Sequence, residues 1–183
     1  MERNETNKMK FEGVELTGDL VVPDGAEGLI VFAHGSGSSR KSPRNRYVAE
    51  VLHEHGLGTL LFDLLTEEEE AAEQHTRHLR FDIDLLAGRM NGATDWLERQ
   101  PIAKGRPFGF FGASTGAAAA LQAVATRQNT VRAVVSRGGR PDLAMDYLPK
   151  VRVPVLLIVG GNDTSVIEMN QQAAAQLGEH AEM

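Results

Sequence analysis

Short apolar runs alternate along the chain with segments whose apolar residues recur at helical spacing. GLIVFAHG, GTLLFDLL, PFGFFG, VRAVVS and VPVLLIVG read as strands, and GLIVFAHG is typical of a strand buried on both faces. The intervening helical segments lie at about 43–55, 82–99, 115–125 and 165–177. This alternation predicts an α/β fold, with a mostly parallel sheet flanked by helices.

Two further segments fit this scheme less directly. VELTGDLVVP alternates in character and predicts an early strand or hairpin, whereas the polar stretch TEEEEAAEQHTRHLRFD receives no assignment. No internal repeat or linker divides the chain. Its 183 residues therefore predict one domain, residues 1–183.

Composition narrows the possible functions. No run approaches the roughly 18 apolar residues of a membrane span, and the polar start lacks the apolar centre of a signal peptide, so we expect a cytoplasmic protein with no membrane partner. The net charge of −6, without a basic tract, argues against nucleic-acid binding. The absence of cysteine excludes thiolate nucleophiles and cysteine-ligated metals. We expect no cofactor and no metal.

The segment GFFGASTGAAAA contains the strongest candidate for chemistry. A strand, then Gly-x-Ser-x-Gly, then a helix is the context of a nucleophile elbow, with Ser114 as the nucleophile. Gly112 and Gly116 are small enough for the sharp turn. Thr115 begins the helix, so its N–H is a predicted oxyanion donor. The alternative is a glycine-rich turn that only lets the helix pack closely on the sheet.

Two other strands end in polar residues. In LLIVGGNDTSV, Asp163 follows a strand at the same predicted edge as Ser114, where the chain order Ser…Asp…His would let it orient a histidine. The alternative role of Asp163 is the N-cap of the last helix. In VFAHGSGSSR, we expect His34 to be a structural hydrogen-bonding residue. A phosphate-binding loop there would lack the Walker lysine and the third Rossmann glycine.

HGSGSSRKSPRNRYVAEVL, LLFDLLTEEEE, GFFGASTGAAAALQA, VVSRGGRPDLA and LLIVGGNDTSVI together resemble the dienelactone-hydrolase-like branch of the α/β-hydrolases, from about Phe11 onward. The resemblance implies a serine hydrolase of small carboxylic esters or lactones that forms an acyl-enzyme. Ser114 would be the nucleophile and Asp163 the acid, with an oxyanion hole from Ser36 and Thr115. Dienelactone hydrolase itself has a cysteine as nucleophile, so its substrate is not carried over. Some members of this branch are fused to phosphoribosyltransferase domains.

The segment SRGGRPD places Arg137 and Arg140 near the edge of the predicted site. A guanidinium there could hold a substrate carboxylate. The alternative is that these arginines bind backbone carbonyls or the nearby Asp142.

The catalytic base is the unresolved part of the prediction. His180 is the only histidine after Asp163, but the last helix returns the chain to the opposite edge of the sheet. A strand of about five residues would be needed to reach Ser114. We therefore expect the true base to be missing because the chain is C-terminally incomplete, without its last strand and helix. His75 or His78, or a partner chain, are the other possible sources. A solvated helical face is the ordinary interpretation of His75 and His78.

Two consequences follow for this chain. It should be a poor esterase, and an alternative function is a non-catalytic α/β-hydrolase-fold module that binds a ligand or partner. The strand PVLLIV would be left as an exposed sheet edge, which predicts a homo-oligomer formed through that edge.

Overall fold

The computed structural model describes residues 3–183. Its strands are β1 (Arg3–Phe11), β2 (Val14–Val22), β3 (Gly28–Ala33), β4 (Leu57–Phe62), β5 (Phe108–Ala113), β6 (Val131–Arg137), β7 (Val155–Ile158) and β8 (Ala181–Glu182). Its α-helices are α1 (Pro43–Glu54), α2 (Glu67–Thr76), α3 (Ile83–Glu98), α4 (Thr115–Val124) and α5 (Thr164–Leu177).

The strands form one sheet in the order β1-β2-β4-β3-β5-β6-β7-β8. β1 pairs antiparallel with β2, and β2 with β4, whereas all the remaining neighbours are parallel. The predicted mostly parallel α/β sheet is therefore confirmed. Strands β3 to β7 all end at one side of the sheet, called the carboxyl edge below, and the loops that follow them carry the candidate site.

Helices cover both faces of the sheet, which explains why the central strands are continuously apolar. On one face, α1 contributes Ala49 to a cluster with Phe32, Leu61 and Phe111, in which the two phenylalanine rings stack at 4.8 Å. On the other face, α3, α4 and α5 pack into a larger core that includes Phe110.

The predicted helices are confirmed to within a residue or two. The Ser42 side chain caps α1 by accepting a hydrogen bond from the Asn45 N–H, and Asp82 caps α3 in the same way. The polar stretch left unassigned by the sequence forms α2. Thr66 and Glu69 make a reciprocal capping box at its start, which stabilises a helix that buries little apolar surface.

The edge of the sheet beyond β7 differs from the prediction. β8 pairs in parallel with the first half of β7, through Val155↔Ala181 and Leu156↔Glu182, so the predicted bare edge is covered over these two residues. Leu156 and Ile158 nevertheless stay 39% and 45% exposed. Self-association through this edge remains a prediction. No helix within residues 3–183 is long and apolar enough to cross a membrane.

Candidate active site

Ser114 lies between β5 and α4 with a backbone conformation that is rare outside glycine. Its φ is 52° and its ψ −124°, which costs roughly 1–3 kcal/mol and persists only where the surroundings enforce it. The loop after β6 supplies this constraint. The Ser114 N–H donates to the Arg137 carbonyl at 3.4 Å, and the Arg140 N–H donates to the Ser114 carbonyl at 3.1 Å.

The two glycines that flank the serine allow α4 to start directly against the sheet. A Cβ on Gly112 would lie 2.4 Å from the Ala117 Cα. A Cβ on Gly116 would lie 2.3 Å from the Ala33 carbonyl oxygen and 2.4 Å from that of His34. No side chain fits at either position without moving backbone.

The loop after β3 and the start of α4 converge beside Ser114. The hydroxyls of Ser36 and Thr115 are hydrogen-bonded at 3.0 Å. Gly35 is so close that a Cβ on it would lie 2.9 Å from the Ser114 Cβ. Thr115 is the first residue of α4, so its N–H has no acceptor within the helix.

His34 anchors this loop through both ring nitrogens. Its Nε2 accepts a hydrogen bond from the Leu64 N–H, and its Nδ1 donates to the Gly35 carbonyl, both at 3.0 Å. Burial lowers the pKa of His34 below its ordinary value of 6.5, and the side chain is only 7% exposed. A second ring proton would also face the Leu64 N–H. This neutral histidine therefore has the structural contacts that the sequence predicted.

We expect acid to destabilise the protein through His34. Because the native pKa is lowered, the unfolded state binds a proton below about pH 6.5 that the native state does not, and stability falls by up to about 1.4 kcal/mol per pH unit as the pH drops toward the native pKa. Urea unfolding between about pH 7.5 and about pH 5.5 measures this slope. His34→Gln should flatten it, whereas the control His75→Gln, at an exposed position, should keep it. Equal slopes in both variants would contradict the assignment.

An ion pair with a buried carboxylate lies beside the same loop. Glu73 on α2 is 1% exposed and accepts hydrogen bonds from the Arg80 Nε at 2.5 Å and the Leu79 N–H at 2.7 Å. The Arg80 guanidinium lies 4.0 Å from where a Cβ on Gly37 would be. No sequence pattern predicts this pair, because a carboxylate in a polar run is typical of a solvent-exposed position.

A cavity of about 810 Å³ opens beside Ser114 at the carboxyl edge. Arg137, one of the predicted substrate-binding residues, lines it, with its guanidinium 5.6 Å from the centre of the Phe111 ring and its Nη2 donating to the Asn45 Oδ1 at 3.0 Å. Arg44 also lines the cavity, although the sequence analysis did not single it out.

Arg140 lies beside Ser114, as expected, and its side chain binds Asp142. Its Nε and Nη2 donate to the two carboxylate oxygens of Asp142 at 2.9 and 2.8 Å, and it does not line the cavity. The structure therefore shows the contact with Asp142 that was the alternative expectation for Arg140. This ion pair neutralises the guanidinium charge that was expected to attract a substrate carboxylate.

Asp163 lies at the carboxyl edge, like Ser114, five residues after β7 ends. Its exposed side chain caps α5 by accepting from the Val166 N–H at 3.4 Å, and the Ser165 hydroxyl donates to it at 3.3 Å. The capping role is thus present, and the edge predicted for a catalytic acid is the observed one.

Two substitutions separate the cap from the charge. We expect Asp163→Ala to lower the free energy of unfolding by about 1 kcal/mol, because α5 loses its N-cap. Asp163→Asn should leave stability unchanged, since asparagine caps equally well. Urea denaturation measures both. An asparagine variant as unstable as the alanine variant would show that the carboxylate charge, and not the cap, stabilises this end of α5.

None of the candidate bases His75, His78 and His180 lines the cavity beside Ser114. His180 directly precedes β8, which pairs with the first residue of β7, so His180 lies at the edge opposite Ser114. His75 and His78 are exposed on or just after α2. Among the residues that the structure describes, no histidine, aspartate or glutamate lines the cavity. No three such side chains within residues 3–183 form a group that could hold a metal ion.

A strained serine between two glycines, at the carboxyl edge of this sheet order, defines an α/β-hydrolase. Comparison with known proteins agrees: the model of the dienelactone hydrolase family matches residues 16–181. The chain belongs to the dienelactone hydrolase family. The resemblance drawn from the sequence is thereby confirmed.

Individual relatives support this assignment. The crystal structure of dienelactone hydrolase from Anabaena variabilis is 58% identical, with a TM-score of 0.95 over 98% of this chain and 83% of that one. Est1E from Butyrivibrio proteoclasticus, at 16% identity, shares the fold, with a TM-score of 0.79 over 97% of this chain and 86% of that one.

A curated relative from Mycobacterium tuberculosis is much longer than this chain. It carries the provisional name of phosphoribosyl transferase and is 56% identical over 173 residues. These residues are 94% of this chain but only 38% of the relative, so the chain spans about two fifths of its length.

Proposed function

We propose that the protein hydrolyses small carboxylic esters or lactones through an acyl-enzyme on Ser114. One observation carries the proposal: Ser114 is held in a strained conformation beside an open cavity, with Gly35, Ser36 and Thr115 next to it. Backbone N–H groups of Ser36 and Thr115 would stabilise the negative oxygen that forms when the serine attacks an acyl carbon.

The reaction would take two steps. In the first, the Ser114 oxygen bonds to the acyl carbon and its proton passes to a base. The base then gives this proton to the leaving oxygen as the C–O bond of the ester or lactone breaks, which frees the alcohol or opens the ring. In the second, water releases the acid and restores the serine. Asp163 would orient a histidine base. Since no histidine of residues 3–183 lines the cavity, and an unassisted hydroxyl is a weak nucleophile, we expect slow turnover from the 183-residue protein.

The lack of a histidine in the cavity lining, among the described residues, favours a second candidate function. A hydrolase fold without a base beside its serine could bind a ligand or partner and not convert it. The cavity volume of about 810 Å³ lies within the range of small-molecule sites. In this alternative, the protein binds a small molecule while Ser114 stays unreactive.

Labelling with a fluorophosphonate tests the two functions against each other. With imidazole added as an external base, the proposed hydrolase should gain one covalent label, which Ser114→Ala should abolish. Ser136→Ala is the matched control: Ser136 lies on the neighbouring strand with its hydroxyl buried and unpartnered among the described residues, so its loss should leave labelling unchanged. A wild-type protein that binds small esters but takes no label would favour the non-catalytic module.

A further inference from the structure

The cavity beside Ser114 contains two positive side chains without a matching negative one. Arg44 lies in the first turn of α1 and Arg137 at the end of β6, and both line the cavity. Neither forms an ion pair with a carboxylate among the described residues. Burial lowers the pKa of Arg137, and the positive charge of Arg44 lowers it further, so the two guanidinium groups are near enough to repel each other.

Arg137 is held in place for binding. The Asn45 side chain that accepts its hydrogen bond is 2% exposed, and the Phe111 ring lies beneath the guanidinium. Only one guanidinium N–H of Arg137 is used by Asn45, which leaves other donors for a ligand. Both contacts restrict the position of the Arg137 guanidinium.

Further groups that favour an anion surround the same cavity. The first residues of α1, beginning with its N-cap Ser42, line it, and the N-terminal end of a helix carries about half a positive charge. The hydroxyls of Ser38 and Ser42 add neutral donors. One carboxylate would neutralise only one of the two guanidinium groups. A phosphate monoester carries a charge of about −1.5 to −2 and three acceptor oxygens, so it can neutralise both guanidinium groups and accept hydrogen bonds from each.

We propose that this cavity binds a phosphate group and that the ester hydrolysed at Ser114 carries one. The second part rests on the proposed function. Arg137 is paired in the sheet with Ala113, the residue before Ser114, and neighbouring strands lie about 4.8 Å apart. Ser114 and Arg137 line the same cavity, so the phosphate and the reacting acyl carbon would belong to one small molecule.

Calorimetric titrations of the 183-residue protein test the proposal. At about pH 8 and constant low ionic strength, inorganic phosphate and glycerol 3-phosphate should each bind at least about tenfold more tightly than acetate or malonate. Arg44→Gln and Arg137→Gln should each weaken phosphate binding by about tenfold, the usual effect of losing a charge-assisted hydrogen bond. Arg46→Gln is the matched control, because Arg46 lies on the same helix but contacts Asp19 and does not line the cavity.

Several outcomes would overturn the proposal. They are no phosphate binding, acetate or malonate bound as tightly as phosphate, or unchanged affinity in Arg44→Gln. The Arg44 side chain is exposed and makes no hydrogen bond among the described residues, so that variant should keep the fold. Phosphate bound without glycerol 3-phosphate would refute a phosphorylated substrate. These titrations measure binding and not turnover. An unreactive Ser114 would therefore refute the esterase proposal, and the titrations would still test whether the cavity binds phosphate.

Discussion

In the presence of imidazole, the wild-type protein is expected to hydrolyse a short-chain 4-nitrophenyl ester about 10²–10⁴ times faster than Ser114→Ala. No base lines the cavity within residues 3–183, so the serine hydroxyl lacks a proton acceptor. Imidazole is small enough for a cavity of about 810 Å³ and supplies one. General-base assistance by a positioned side chain typically contributes about 10²–10⁴-fold, and we expect imidazole held in the cavity to contribute a factor within this range.

Imidazole must be added because the effects of catalytic groups are not additive. Where the base is missing, removing the nucleophile as well costs little more, and only about 10³–10⁴ over water remains from the oxyanion hole and binding. Without imidazole, the wild type and Ser114→Ala should therefore differ little. Ser136→Ala should respond to imidazole as the wild type does. Equal imidazole-dependent rates in wild type and Ser114→Ala would mean that the reaction occurs in solution or at another residue.

Gly116→Ala should be the most destabilising of the small substitutions at the site, lowering the free energy of unfolding by about 3 kcal/mol or more. The new Cβ would meet two backbone carbonyl oxygens at 2.3 and 2.4 Å, and neither can rotate away as a side chain could. Moving α4 away from β3 would also separate Thr115 from Ser36, so fluorophosphonate labelling should fall together with stability.

Gly88→Ala provides the matched control for that substitution. Gly88 lies inside α3, and no atom is within 4 Å of its added Cβ. This change should stabilise the protein by about 1 kcal/mol through helix propensity alone. Urea unfolding of both variants measures the difference. A Gly116→Ala protein as stable as the wild type would show that α4 is not held directly against the loop after β3.

The elbow was predictable because all its determinants are local. A buried strand, a serine between glycines and the start of a helix occur within about a dozen residues, and the strain at Ser114 follows from that order. The parallel sheet was predictable for a similar reason, since each strand is a short apolar run between helical segments.

The remaining parts of the site depend on contacts between distant segments. Arg44 looked like an ordinary surface charge near a helix start, and only the approach of α1 to the end of β6 makes it part of a cavity with Arg137. Glu73 lies in a polar run that is typical of a solvated helix, but in the folded protein Arg80 and the chain around it cover the carboxylate. The sequence left open whether Arg140 binds a substrate, backbone carbonyls or Asp142, and the structure shows the contact with Asp142.

Intact-protein mass spectrometry after rapid acid quenching tests the central claim most directly. The wild-type protein, incubated with a 4-nitrophenyl ester and imidazole, should carry one acyl group, and peptide mapping should place it on Ser114. Ser136→Ala should be acylated to the same extent and Ser114→Ala not at all. An acyl group on any other residue, or ester turnover without an acylated protein, would contradict the acyl-enzyme on Ser114.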